Sequence, residues 1–339
     1  MVKIGVVGAG HWGQNHIRVL NNLASTKECN FIGICDADKN KEYLSRQNNN
    51  YFFTDYKKLA DFVDCVIVAT PANLLYEVSS YFLSRGKHVL VEKPFSLNLK
   101  DGNTLVNIGR RKKLVLMVGH IFLYTRQMRK IDELLNQKIL GNVFYAYSQR
   151  LNLGIIRQDV NALWNFGPHD ISIFLHIFGS VPKKVQAWGK AYLQNKVEDV
   201  VFLQMEFQSG TLVNCHLSWV DPIKTRKVTI VGDKGMVVWD DTSLDQSIRI
   251  YNKQILVKNV SDKKSVSFQE FKSLISHGDE VIPYIPQEEP LRNELMHFIG
   301  CIKENKRALT DGTHALNVLK VLLCAQESLE NGGKKVSIK

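Results

Sequence analysis

The chain of 339 residues has few cysteines, and they are scattered along it. Cys29, Cys35, Cys65, Cys215, Cys301 and Cys324 never form Cys-x-x-Cys, and most have apolar neighbours. They read as buried free thiols in a reducing compartment, and no metal site is expected. Proline (8) and glycine (22) are too sparse for a low-complexity or collagen-like chain. No apolar run reaches about 18 residues, which excludes a transmembrane helix. The first residues lack the order of basic stretch, apolar segment and small-residue cleavage site. A secretory leader is therefore not expected, and a cytoplasmic protein is.

Acidic residues are the minority, 33 against 44 basic, which leaves a net charge of +11. Such an excess suits nucleic acid, an anionic membrane or an anionic small molecule. The basic residues fall in short runs, such as Arg110-Arg111-Lys112-Lys113 and Lys334-Lys335. No aromatics are interleaved with them and no nucleic-acid-binding motif accompanies them. Nucleic acid and membrane are thus not expected as partners, and a phosphate-bearing small substrate fits better.

At about 150 residues per domain, the length suggests two domains. Short, nearly continuous apolar runs at Lys3–Val7, Asn30–Cys35, Cys65–Ala69, His88–Val91 and Val115–Val118 predict strands buried on both faces. Helices are expected between them. One covers Leu74–Arg85 and stops at Gly86; another starts at an Asn98 N-cap and ends in the basic cluster at 110–113. This β-α-β order predicts an N-terminal Rossmann domain, a doubly wound parallel sheet, over residues 1–120. Beyond it a helix is expected at Arg126–Asn136. Alternating strands follow, with turns at Ser209-Gly210 and at Gly232-Asp233-Lys234-Gly235. Two helices close the chain, near Leu291–Glu304 and Thr313–Glu330. Residues 121–339 are therefore expected to form an α+β domain with a large, open, mostly antiparallel sheet, which binds substrate and drives oligomerisation. Its C-terminal helix is free to pack back on the first domain.

Gly8-Ala9-Gly10-His11-Trp12-Gly13 is a G-x-G-x-x-G that follows a strand and opens a helix. That context makes it a dinucleotide loop. Gly8 permits the tight turn, Gly10 lets the backbone approach a pyrophosphate, and Gly13 lets the helix pack close to the strand. His11 and Trp12 lie over the cofactor edge. Asp36, at the end of the second strand, is placed to bond both adenosine ribose hydroxyls. Its charge would repel a 2′-phosphate, so NAD is favoured over NADP. Thr70, Pro71 and Glu92, at the ends of later strands, complete the expected cofactor contacts.

Lys93 follows at the end of a parallel strand, within Glu92-Lys93-Pro94. There it can reach the cofactor, and it can donate to a substrate hydroxyl and stabilise a developing alkoxide. Trp164-Asn165-Phe166-Gly167-Pro168-His169-Asp170 is expected to open a helix. At that start the helix dipole would keep His169 neutral and able to accept a proton, with Asp170 as the cap.

The glycine loop, Glu-Lys-Pro and Gly-Pro-His-Asp together resemble the glucose–fructose oxidoreductase / inositol dehydrogenase / rhizopine catabolism (Gfo/Idh/MocA) family, over essentially the whole chain. The resemblance implies that Lys93 contacts the reacting hydroxyl, that the Lys93–Pro94 peptide is cis and that His169 is the catalytic base. Asn165 stands where the family has Asp. The segments around Tyr124, Arg150, Asn152, Arg157, Asn161 and Trp164 resemble the nucleotide-sugar branch. That branch implies an NAD-dependent oxidation of a sugar hydroxyl, or its reverse, on a UDP-N-acetylglucosamine derivative in surface-polysaccharide biosynthesis. Substrate contacts are then expected from Lys93, Tyr124, Arg150, Asn152, Arg157, Asn161, Asn165 and His169. A dehydrogenase of free aldoses or inositols and a non-catalytic dinucleotide-binding regulator remain as alternatives. The second-half sheet has few helices to cover it, so a homodimer or homotetramer through that sheet is expected.

Overall fold

The computed structural model describes residues 1–46, 50–154, 156–158, 160–255, 275–276 and 278–338. Two compact units divide the chain: Met1–Thr125 with Glu288–Leu323, and Arg126–Gln287 with Cys324–Lys339. Residues 288–323, expected in the second domain, thus count with the first.

The first unit alternates strands and helices in chain order: β1 (Lys3–Val7), α1 (His11–Ser25), β2 (Asn30–Cys35), α2 (Tyr43–Arg46), β3 (Tyr51–Phe53), α3 (Tyr56–Leu59), β4 (Cys65–Val68), α4 (Leu75–Ser84), β5 (His88–Val91), α5 (Leu99–Lys112) and β6 (Leu116–Val118). All pairings are parallel, in the order β3-β2-β1-β4-β5-β6. The order reverses between β1 and β4, the point at which doubly wound sheets bind ligands. Every residue of β4 is buried, as a central strand covered on both faces requires.

Local chemistry sets the helix ends. The Asn98 side chain accepts from the Asp101 N–H at 2.9 Å at the start of α5, and Arg110, Arg111 and Lys112 fill its last turn. Gly86 follows α4 at φ 76°, a left-handed conformation that favours glycine. Strand β3 was not expected, because three residues at a sheet edge are too few to show a pattern. Five cysteines are buried, and burial pushes Cys29 up to about 11 and Cys35 to about 12.

The second unit holds α6 (Arg126–Asn136), β7 (Val143–Leu153), α7 (Ala162–Phe178), β8 (Lys184–Lys190), β9 (Val200–Glu206), β10 (Leu212–Ser218), β11 (Val220–Gly232), β12 (Met236–Asp240), β13 (Ile248–Tyr251), β14 (Gln254–Ile255), β15 (Ile275–Ser276), β16 (Glu280–Val281) and, near the end of the chain, β17 (Val336–Ser337). Nine strands form one sheet in the order β16-β13-β12-β11-β7-β10-β9-β8-β17. Every pair is antiparallel except β7–β10, which is parallel. Val201, Leu203 and Met205 of β9 and Val213, Cys215 and Leu217 of β10 are buried on one face, towards α7. The alternate residues Phe202 and Leu212 are exposed, as are Tyr145, Tyr147 and Trp188 on neighbouring strands.

Helix α7 corrects the expectation of a helix opening at Trp164–Asp170. It begins two residues earlier, because the Asn161 side chain caps it by accepting from the Trp164 N–H at 3.1 Å. Asp170 is therefore not a cap, and His169 lies in the third turn.

Two further helices follow residue 287: α8 (Pro290–Glu304), with Pro290 in its first turn, and α9 (Gly312–Glu330). Glu294 of α8 is fully buried, and neither carboxylate oxygen has a hydrogen-bond partner among the described residues. Burial, and then the charge of Glu92, push its pKa well above the ordinary carboxylate range. The folded state thus binds a proton that the unfolded state releases. Stability is lost as pH rises from the usual carboxylate value, near 4.5, toward that of buried Glu294. Glu294→Gln removes this loss. Its melting temperature should match the wild type near pH 5 and exceed it by at least about 2 °C at pH 7.5. A variant that falls further below wild type as pH rises would contradict the assignment.

Candidate functional site

In the first unit the site starts with the glycine turn. Gly8 has φ 96°, and a Cβ there would lie 2.5 Å from the Ala69 carbonyl oxygen. A Cβ on Gly13 would lie 1.9 Å from the Gly8 carbonyl oxygen. Neither position admits a side chain, so α1 comes down directly on the ends of β1 and β4. Gly10 differs: a Cβ there meets nothing within 4 Å. It precedes α1 with no capping side chain, and no acidic residue stands in the first turn. The helix thus offers uncapped N–H groups beside open space, which suits a pyrophosphate.

Asp36 follows β2 and turns its carboxylate towards the loop. One oxygen accepts from the Ala9 N–H at 2.6 Å, the other from the Asp38 N–H at 2.9 Å. Thr70 follows β4 beside Pro71, and its buried hydroxyl has no hydrogen-bond partner among the described residues. Open space at Gly10 and an unpartnered hydroxyl at a strand end both fit a bound dinucleotide. His11 is exposed and Trp12 is 38% exposed.

Glu92 and Lys93 leave the carboxyl end of β5. The Lys93–Pro94 peptide is cis. Glu92 is buried and accepts from three N–H groups: the Trp12 indole, the His16 imidazole (2.7 Å) and the Lys93 backbone (3.2 Å). After β6 comes His120, which is 1% exposed, with neither ring nitrogen partnered among the described residues. Its ring centroid is 5.5 Å from that of His314. Burial, then His314 and Lys93, depress its basicity well below the usual histidine value, so it is neutral at pH 7. Tyr124 is buried within this unit, its hydroxyl 2.8 Å from that of Thr310.

In the second unit Asn165 and His169 are four apart on α7, which puts them on one face of the helix. Both are half-buried. Because the dipole fades within the first turn, the expected dipole effect on His169 does not apply. Arg150 is buried rather than looped. Its guanidinium donates to both oxygens of Asp170, at 2.9 and 3.1 Å. This fork joins β7 to α7 and occupies two of the donors expected for substrate. Asn161 is likewise engaged, donating to Glu198 (2.7 Å) and Gln326 (3.1 Å). The Asn152 amide folds against Gly154, and Arg157 is exposed, its carbonyl accepting from Gln194 at 2.8 Å.

Sequence reasoning did not single out His16, His120 or Glu294. His16 had a signal: it is four residues after Trp12, on the same face of α1. Among the described residues, no cluster of three or more His, Cys, Asp or Glu could hold a metal ion, and no helix is long and apolar enough to cross a membrane.

The comparisons follow the same division. Residues 2–120 match the oxidoreductase family with an NAD-binding Rossmann fold, and residues 128–238 match the GFO/IDH/MocA C-terminal domain. The chain is 24% identical over 338 residues to a UDP-N-acetylglucosamine 3-dehydrogenase of Acidithiobacillus ferrooxidans, covering 97% of both. It is 25% identical over 303 residues to a 2,7-anhydro-N-acetylneuraminate hydratase of Escherichia coli, covering 82% of this chain and 80% of that one. Among solved structures, the Acidithiobacillus enzyme matches with a TM-score of 0.83 at 21% identity, over 98% of both chains. GenD2 from gentamicin A biosynthesis, solved with NAD, matches with a TM-score of 0.80 at 22% identity, over 100% of this chain and 96% of that one. With both family domains matched in order around the glycine turn and the Glu92-Lys93-Pro94 strand end, the chain belongs to the Gfo/Idh/MocA family of NAD-dependent oxidoreductases.

Proposed function

We propose that the protein oxidises a sugar hydroxyl to a ketone, or runs the reverse, on a nucleotide-linked amino sugar such as a UDP-N-acetylglucosamine derivative. The observation that carries the reaction class is Lys93 at the carboxyl end of β5, in the same sheet as the glycine turn. Full-length similarity to a UDP-N-acetylglucosamine 3-dehydrogenase supports the substrate class.

Bound at the loop, NAD would supply the hydride acceptor. Gly8, Gly10, Gly13, His11 and Trp12 would hold it, with Asp36 for the adenosine ribose and Thr70, Pro71 and Glu92 at the strand ends. Lys93 donates to the reacting oxygen and stabilises the negative charge that grows there as the C–H bond breaks. His169 takes the hydroxyl proton on a ring nitrogen. Asn165, on the same helical face, orients but carries no charge to stabilise the imidazolium. Arg157 meets the diphosphate; Arg150 shapes the site through Asp170.

A screen with NAD against UDP-, GDP- and dTDP-sugars, free sugars and inositols, read by mass for loss of two hydrogens, tests this. One nucleotide sugar should yield a ketone. Activity on free sugars or inositols alone would overturn the substrate class. No product with any of them, with NAD still bound, would overturn the oxidation itself. Lys93→Ala should lower turnover at least about 100-fold with NAD affinity near wild type. Arg157→Ala should raise KM about tenfold more for the nucleotide sugar than for the free sugar; equal effects would remove the diphosphate role.

The outer face of the second unit's sheet exposes Tyr147, Trp188, Phe202 and Leu212 together. The proposal covers this face with a second copy of the chain. Light scattering should give a dimer or tetramer, and Phe202→Glu should shift it towards monomer. A monomeric wild-type protein would contradict this.

A further inference from the structure

Glu92 receives more partners than a residue that only touches a cofactor needs. The Trp12 indole N–H and the His16 imidazole share one oxygen, the latter at 2.7 Å, and the Lys93 backbone N–H reaches the other at 3.2 Å. The space beside it is closed. A Cβ on Gly119 would lie 3.0 Å from each carboxylate oxygen, so a larger residue there would displace the group. The Trp12 and His16 rings stand edge to face, with centroids 6.3 Å apart. Both lie on α1, the helix that starts at the glycine turn, whereas Glu92 directly follows β5, which is separated from β1 by β4.

His16 decides what the arrangement is for. Its exposure is 0%, so it cannot touch cofactor or substrate. Its other ring nitrogen has no partner among the described residues. Its one polar contact given by the structure is the Glu92 carboxylate. An apolar residue would fill the same buried space without leaving a ring nitrogen unpaired, so packing alone does not explain a histidine there.

We infer that His16 and Trp12 are positioning residues for the reaction: through the Glu92 carboxylate they tie the first two turns of the dinucleotide-binding helix to the backbone of Lys93. Glu92 is thus a strut between loop and lysine. Seating the cofactor against α1 and setting the Lys93 side chain become one mechanical event. The inference rests on the proposed role of Lys93, but its coupling can be measured without a sugar.

The test is a mutant cycle on the full-length protein, using His16→Ala, Glu92→Gln and the double variant, with His16→Gln and Trp12→Phe alongside. Two readouts are taken: NAD affinity by calorimetry, and kcat and KM for whichever sugar substrate is turned over. His16→Ala should weaken NAD binding about fivefold and lower kcat about tenfold, with KM for sugar within about twofold. The double variant should be no worse than Glu92→Gln, within about twofold, because both changes break the same strut. His16→Gln, whose amide can replace the donating ring nitrogen, should recover most of the loss. Trp12→Phe, which keeps an aromatic ring beside the cofactor and removes only the indole N–H to Glu92, should lower kcat without a change in melting temperature.

Additive losses in the double variant would overturn the strut, as would a His16→Ala protein with wild-type NAD affinity and kcat. Lys93→Ala in the same assay separates the two claims. If it retains turnover, the reaction assignment falls, and the NAD-affinity cycle alone decides whether Glu92 couples to α1. If it abolishes turnover while His16→Ala and Trp12→Phe behave as wild type, the strut falls and the reaction assignment stands.

Discussion

The close approach of α1 to the ends of β1 and β4 is the constraint on which the first unit depends. It exists only because positions 8 and 13 carry no side chain: a Cβ at either would sit 2.5 Å or less from a backbone oxygen. With the helix seated there, its N-terminus stands at the carboxyl ends of the strands. Asp36, Thr70 and Glu92 follow their strands at that same edge: Asp36 bonds Ala9, Glu92 bonds Trp12, and the buried Thr70 hydroxyl has no partner among the described residues. A parallel sheet does this by geometry, since every strand delivers its next residue to one edge.

The second unit solves a different problem. One face of its nine-stranded sheet must be covered, and α7 lies against β9 and β10. The Arg150–Asp170 fork pins the helix to β7 from inside. A buried ion pair is weak evidence for net stability, because desolvation opposes it. It does fix the geometry, and the neighbour of Asp170 on the helix is His169. The fork therefore sets where the imidazole sits, and Asn161 fixes where the helix begins.

Much of this was legible in the sequence, for identifiable reasons. The strands β1, β2 and β5 have their expected limits because strands buried over most of their length are nearly continuous apolar runs. Gly86 and Asn98 marked helix ends because their conformations and hydrogen bonds are local. The start of α7 was misplaced because two candidate openings compete: Asn161 is a better cap than the Gly167-Pro168 pair is a start, and Pro168 sits inside the helix. The role of Arg150 was hidden because its partner is 20 residues away and on another element. His120 lies in the segment around Tyr124 that carries the family resemblance, but nothing local marks it as buried; that follows from the sheet order, which puts β6 beside β5.

The central claim is that a hydride passes between a sugar carbon and the nicotinamide held at this strand edge. It is tested most directly with a UDP-N-acetylglucosamine derivative carrying deuterium on the carbon that is oxidised, incubated with NAD and the full-length protein and followed by mass spectrometry. The account predicts deuterium in the reduced nicotinamide and a ketone that has lost it. A ketone formed with the label appearing in water, or bound NAD with no transfer at all, would contradict it.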